Sequence, residues 1–225
     1  MNYALLPAAG SGSRMGAAVP KQFLPIGGEP IYIKSLRHFI ESPLVDGVVI
    51  AVPEDYIDSV REETGRFFPG ARTDVIAGGA DRSETLEKLV DYLFAHYDVD
   101  GDSVILTHDA VRPFIDERII ADNIAAAKQT GGCGTAIPAV DTVFRSADGV
   151  LIDDVPPRAE LFYAQTPQSF RAVLFREALQ SLTKEQKSLV TDACSVFLLA
   201  GMPVKLVPGK PENIKITYPS DLQQR

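Results

Sequence analysis

Leu5-Leu6-Pro7-Ala8-Ala9-Gly10-Ser11-Gly12-Ser13-Arg14-Met15-Gly16, with Pro20-Lys21 close behind, joins an apolar run to a glycine-rich loop. Tyr3 to Pro7 reads as a buried strand, because the run is short and continuous. Small residues after a strand let backbone N–H groups come close to phosphate oxygens. Arg14 can neutralise phosphate through its fork and Lys21 as a point charge. The dinucleotide spelling G-x-G-x-x-G fails, since Met15 stands where its third glycine would be, and the Walker G-K-[ST] is absent. A strand that ends in an anion-binding loop belongs to an α/β sheet with its ligand beyond the strand's carboxyl end.

Outward from this loop, short apolar runs alternate with helical patterns. Helices are predicted at Pro30 to Ile40, Asp55 to Phe68, Asp81 to Tyr97 and Asp116 to Gln129, and strands at Gly47 to Val52, Thr73 to Ala77 and Ser103 to Thr107. Asp81 with Glu84 resembles a capping box. This alternation predicts an α/β fold with a mostly parallel central sheet flanked by helices. From Ile137 to Glu160 the helical period is lost among prolines, with a turn at Asp148-Gly149. That stretch is expected to be an extended β-arm at about 137–160. Helices are expected again at Phe170 to Leu182 and Asp192 to Ala200, and strands at Val204 to Val207 and Ile214 to Thr217. No repeat or linker divides residues 1–225, so a single domain with an arm is expected.

Charge and composition narrow the function. The net charge of -8 in 225 residues disfavours a nucleic-acid binder, which needs a basic face. A phosphorylated substrate needs only a few placed cations. Two cysteines, Cys133 and Cys194, fit neither a disulfide framework nor a metal spacing. No stretch reaches the length of a membrane span, and Met1 to Leu6 lacks the features of a signal peptide. A cytoplasmic chain with no membrane partner is expected.

Two further junctions carry chemistry. Gly78-Gly79-Ala80-Asp81-Arg82-Ser83-x-Thr85 follows a strand and opens a helix, where backbone groups can meet a base edge or an anion; a capped tight turn explains it equally well. Thr107-His108-Asp109-Ala110-Val111-Arg112-Pro113 ends another strand. Asp109 suits Mg²⁺ or a substrate hydroxyl. Arg112 could pair with Asp109 or reach the substrate. His108 reads as structural.

The phrase Pro7-Ala8-Ala9-Gly10-x-Gly12-x-Arg14-Met15 with Pro20-Lys21-Gln22 resembles the cytidylyltransferases that act on 2-C-methyl-D-erythritol 4-phosphate or ribitol 5-phosphate, within the Rossmann-like nucleotidyltransferase fold. The resemblance spans residues 3 to 222. It implies that Ala8, Ala9, Gly10, Gly12, Ser13, Arg14 and Lys21 hold the CTP triphosphate. It sets Gly79 and Thr85 at the base or ribose, with Arg82 beside them. It turns Asp109 toward the phosphates, the acceptor and Mg²⁺. Thr142 and Arg158 would reach the acceptor phosphate of a partner subunit, which implies a homodimer with exchanged arms. Gln165-Thr166-Pro167-Gln168, Thr191-Asp192-Ala193 and Asn213-Ile214-Lys215-Ile216-Thr217 match too. They place Thr166 and Thr191 at the acceptor and Lys215 at the phosphates. Arg14, Lys21, Lys215 and Asp109 are thereby the expected catalytic set, and Asp109, Arg112, Thr142, Arg158, Thr166, Thr191 and Lys215 the acceptor-binding set.

The acceptor itself divides the motifs. Pro7-Ala8-Ala9-Gly10 is closer to the erythritol-phosphate branch, which serves isoprenoid synthesis. Ala80-Asp81-Arg82, Thr107 to Phe114, Thr166 to Phe170 and Thr191 to Cys194 are closer to the ribitol-phosphate branch, which serves teichoic acid synthesis. D-ribitol 5-phosphate is the favoured polyol phosphate. A sugar-1-phosphate nucleotidyltransferase using another base, and a nucleotide-binding regulator without catalysis, remain as alternatives.

Overall fold

The computed structural model describes residues 1–10 and 19–223. The expectations for Gly12, Ser13 and Arg14 lie outside the described residues. Strand β1 (Asn2–Pro7) runs through the middle of the main sheet. A two-residue ladder, β2 (Pro25–Ile26) and β3 (Glu29–Pro30), turns at Gly27 and Gly28, both at positive φ (59° and 87°), as a tight hairpin turn demands. Strands β4 (Gly47–Val52), β5 (Thr73–Ala77), β6 (Val104–Thr107), β7 (Gly132–Pro138), β8 (Phe162–Arg171) and β9 (Lys205–Pro208) complete the main sheet, in the order β5-β4-β1-β6-β8-β7-β9. Neighbours pair in parallel from β5 to β6 and again at β7 with β9, while β8 runs antiparallel to both β6 and β7.

Helices α1 (Ile31–Ile40), α2 (Ile57–Phe67), α3 (Arg82–His96), α4 (Glu117–Thr130), α5 (Ala172–Ser181), α6 (Lys184–Ser188), α7 (Ala193–Leu199) and α8 (Ser220–Gln223) follow. Alternation along the strands feeds two cores. Ala4, Leu6, Val48, Ile50 and Leu106 face α1, α2 and α4 through Leu36, Val60 and Ile119. Tyr3, Leu5, Val49 and Ile105 face α3, α5 and α7 through Leu89, Phe175 and Phe197. A strand buried on both faces must read as a continuous apolar run, and β1 and β4 do.

Three expectations need correction. Ile214 to Thr217 alternates like a strand but forms none; only isolated bonds such as Ile216 N–H to Val111 O (2.9 Å) hold it. Phe170 and Arg171, expected to begin a helix, end β8, and α5 starts at Ala172. The capping box at α3 is half made. Asp81 accepts from Glu84 N–H (2.9 Å), but the Glu84 carboxylate accepts from Ala80 N–H (2.7 Å) rather than from Asp81. The arm is a hairpin whose stem is the β7–β8 pairing from Pro138↔Phe162 inward. Beyond the stem, one bridge joins Arg145 and Asp154, and Gly149 turns at φ 73°.

Candidate active site

The loops after β1, β5 and β6 meet at the carboxyl edge of the parallel strands. The first is held from below. Ala8 N–H donates to Ala51 O (2.7 Å), and Gln22 Nε2 donates to the carbonyls of Ala8 (2.6 Å) and Gly10 (3.1 Å). Ala8, expected at the CTP, thus spends its backbone groups on the protein and anchors the loop. Gln22, which follows Lys21 in a polar phrase, was legible only as part of the motif.

The second loop is clamped by the opening turns of α3. Lys88 Nζ donates to Gly78 O (2.9 Å), Gly79 N–H to Thr85 Oγ1 (3.0 Å) and Ala80 N–H to Glu84 Oε2 (2.7 Å). Three successive residues are held by three side chains. Thr85 also donates to Asp81 O (2.8 Å), so its hydroxyl shapes the loop. Gly78 packs so close to Ala9 that a Cβ there would collide with the Ala9 methyl. Between the two loops lies a cleft of about 390 Å³. Pro7, Ala9 and Gly10 line one side, Gly79 to Arg82 and Thr85 the other.

Arg82 links this cleft to Asp109. Its Nη2 lies 3.1 Å from Asp109 Oδ1, while Lys215 Nζ (2.9 Å) and Arg112 Nε (3.6 Å) face Oδ2. Asp109 is buried, which by itself opposes ionisation. The attraction of Arg82, then Lys215 and Arg112, outweighs burial and holds the carboxyl well below the usual carboxylate range. Three cations around one carboxylate leave a surplus of positive charge beside the cleft, suited to a polyanion. Lys21 is buried nearby and donates to Ile216 O (2.9 Å), one residue from Lys215.

Behind Asp109, the Thr166 hydroxyl accepts from Asp109 N–H (3.1 Å) and meets His108 Nδ1 (3.0 Å), while His108 Nε2 meets Arg112 O (3.1 Å). A carbonyl can only accept, so Nε2 carries the proton and the Thr166 hydroxyl donates to Nδ1. Full burial of the ring pushes its pKa down to about 3, so it stays neutral. Thr166, expected at the acceptor, therefore has its hydroxyl engaged in both directions by the Asp109 loop.

The remaining residues lie apart. Thr142 and Arg158 are exposed on the arm, where Arg158 donates to Val140 O (3.2 Å). Thr191 is exposed just before α7. Among the described residues no hydrogen bond or ion pair joins any of these three to Asp109. No group of three or more His, Cys, Asp or Glu able to hold a metal occurs among them either. Among the described residues no helix is long and apolar enough to cross a membrane.

The chain is 40% identical over 224 residues to the ribitol-5-phosphate cytidylyltransferase of Lactiplantibacillus plantarum, covering 99% of this chain and 96% of that protein. The crystal structure of a 4-diphosphocytidyl-2C-methyl-D-erythritol synthase superposes with a TM-score of 0.78 at 31% identity, covering 99% of this chain and 95% of the other. The 2-C-methyl-D-erythritol 4-phosphate cytidylyltransferase of Francisella tularensis superposes with a TM-score of 0.82 at 25% identity, over 99% and 96% of the two chains. The sequence also matches the model of a family over residues 3–224. With its parallel sheet, glycine loop and cation-ringed Asp109, the chain belongs to the IspD, 2-C-methyl-D-erythritol 4-phosphate cytidylyltransferase, family.

Proposed function

We propose that this protein transfers a cytidylyl group from CTP to D-ribitol 5-phosphate, releasing pyrophosphate and forming CDP-ribitol. The observation that carries the chemistry is the ring of Arg82, Lys215 and Arg112 around Asp109, at the end of a cleft sized for a nucleoside. The acceptor rests on the 40% identity to the ribitol-5-phosphate enzyme over nearly the whole chain, against 31% and 25% for the two methylerythritol enzymes.

An acceptor phosphate oxygen attacks the α-phosphorus of CTP in line, and pyrophosphate leaves. The attacking oxygen is already anionic near neutral pH, so no strong base is needed. Rate enhancement comes from positioning and from cations that meet the growing charge. Lys21, Lys215 and Arg14 supply that charge, while Gly10, Gly12 and Ser13 with Ala9 cradle the phosphates. Gly79 and Arg82 border the nucleoside. A single Asp109 carboxylate is enough for Mg²⁺, which commonly takes one or two carboxylates and completes its shell with substrate phosphates and water. Asp109 would hold it, and the ion would neutralise phosphate charge.

On the acceptor side, Thr191 lies within the same chain, and Thr142 and Arg158 reach over from a partner, making one cytoplasmic homodimer of two single-domain subunits with exchanged arms. The arm exposes Val140, Phe144, Val150, Leu151, Ile152 and Val155, a concentration of apolar side chains of the kind that marks an interaction surface.

The test is pyrophosphate release from CTP with ribitol 5-phosphate and 2-C-methyl-D-erythritol 4-phosphate offered in parallel, with UTP, GTP and ATP as nucleotide controls. Release with ribitol 5-phosphate and CTP is expected. Release with methylerythritol phosphate alone would reassign the acceptor, and release with neither would overturn the function.

A further inference from the structure

Residues 209–217 carry Lys215 into the site, yet they belong to no strand or helix. The segment is a strap, hung at several points on side chains. Gln165 Nε2 donates to Lys210 O (2.8 Å), and Asn213 Nδ2 donates to Thr166 O (2.8 Å). Arg112 Nη1 donates to Asn213 O (2.8 Å), two residues before Lys215, and Lys21 holds Ile216 O one residue after it. Gly209 packs against the Gln165 amide so closely that a Cβ there would displace it.

Arg112 is the common member. Its Nη2 donates to Ala164 O (3.2 Å), and its Nε faces the same Asp109 oxygen that Lys215 approaches. Its side chain is only 10% exposed. Both Nη atoms of its fork thus donate to protein carbonyls, while buried Nε makes no hydrogen bond among the described residues and lies within ion-pair range of Asp109. An arginine poised for a substrate phosphate would instead offer its fork to an open cleft.

We propose that Arg112 is a positioning residue, which sets Lys215 against Asp109 by holding the strap at Asn213 O, and that it does not touch the acceptor. A mispositioned Lys215 would still carry its charge but miss the geometry the transition state needs, where a shift of about 1 Å costs on the order of 10²-fold. The kinetic part of this inference rests on the proposed cytidylyl transfer, while the structural part does not.

The decisive variant is Arg112→Lys in the full chain. It keeps a cation for any phosphate but lacks the planar fork that reaches the Asn213 and Ala164 carbonyls together. Backbone hydrogen exchange over residues 209–217, read without substrate, should quicken while exchange in β1 and β4 stays as in wild type. With CTP saturating, kcat should fall at least about tenfold and the KM for ribitol 5-phosphate should stay within about twofold. In the Lys215→Ala background, Arg112→Lys should cost no more than about threefold further, because the residue it serves is gone. Unchanged exchange in the strap would refute the brace. A raised acceptor KM at wild-type kcat, or a full multiplicative loss in the double variant, would make Arg112 an acceptor ligand. Should Arg112→Lys fail to fold, Gln165→Met, which frees Lys210 O and leaves Arg112 intact, must show the same quickened exchange and reduced kcat; wild-type values in both would overturn the strap's role. If the wild type releases no pyrophosphate with either acceptor, the functional reading fails, and the exchange experiment still decides whether Arg112 holds the strap.

Discussion

Lys21 is buried, keeps a bond to Ile216 O and ends the glycine-rich loop, so its charge is partly desolvated at the place proposed for the triphosphate. Charges in such surroundings act more strongly than in water. Lys21→Ala should therefore lower kcat for pyrophosphate release by about 10²-fold or more, the scale of one lost electrostatic donor. Near-normal turnover would remove Lys21 from the catalytic set. His108 makes a different prediction. Its folded pKa of about 3 lies below the ordinary 6.5. Above pH 6.5 neither folded nor unfolded chain protonates it, and its contribution is intact. Between pH 6.5 and 3 the unfolded chain takes up a proton that the folded ring refuses, so stability falls with pH, on the order of 1 kcal/mol per unit. Burial also lowers the pKa of His38, which adds the same sign. The stabilisation from Asp109 is fully present above pH 3.8, because its carboxyl is held below the usual range, and is lost only as pH drops beneath that. Urea midpoints at pH 7 and 5 should differ clearly in the wild type and less in His108→Gln; an equal slope in the two would show that His108 is not the group responsible.

Helix α3 does more than cover the sheet. Its first turns hold Gly78, Gly79 and Ala80 through Lys88, Thr85 and Glu84, and so fix one wall of the cleft proposed for CTP. Gly78 lets that wall close on Ala9. Gly78→Ala inserts a methyl where the Ala9 methyl already sits, an overpacking cost of about 1–3 kcal/mol. The two walls should part, and CTP affinity by calorimetry should weaken about tenfold; wild-type affinity would mean the walls do not both meet the nucleotide. The strands β1, β4 and β6 were legible in the sequence because their residues are buried on both faces and read as apolar runs, whereas β5, a half-buried edge strand, was legible only from its short apolar stretch at Val75 to Ala77. Strands β7 and β8 were not. Gln165, Thr166, Gln168 and Ser169 are buried in β8, yet they are polar and surround Pro167, which by pattern argues for a loop. Their burial is satisfied by contacts no local pattern announces, such as Gln168 Nε2 to Asp192 (2.7 Å) and Thr107 Oγ1 to Gln168 O (2.9 Å). Ile214 to Thr217 misled in the opposite sense, since Ile216 is buried against Ile26, Ile31 and Val111 instead of along a ladder. In the site, Asp109 and Lys215 stood out as charged residues in specific motifs. The inward roles of Arg112 and Thr166 depend on partners 50 or more positions away, which spacing cannot reveal.

At the scale of the molecule, the arm is the part least explained by the chain alone. Arg158 and Thr142 stand on it in solvent, away from Asp109, while its apolar side chains have no core to join. A symmetric dimer resolves both facts if each arm completes the other subunit's site. Light scattering should then give twice the chain mass. Oligomer mass alone does not prove an exchanged arm, because a dimer formed elsewhere would weigh the same. Complementation separates the two. Arg158→Ala damages the residue lent to the neighbour, and Lys21→Ala damages the residue kept at home. In a heterodimer of the two, one site carries both defects and the other carries neither. Random exchange at equal concentrations makes half the dimers mixed, so about a quarter of all sites should be intact. Activity of the re-equilibrated mixture should rise from near zero toward a quarter of wild type. If Arg158 instead serves its own subunit, every site in the mixture holds one defect, and the mixture should equal the mean of the two inactive parents.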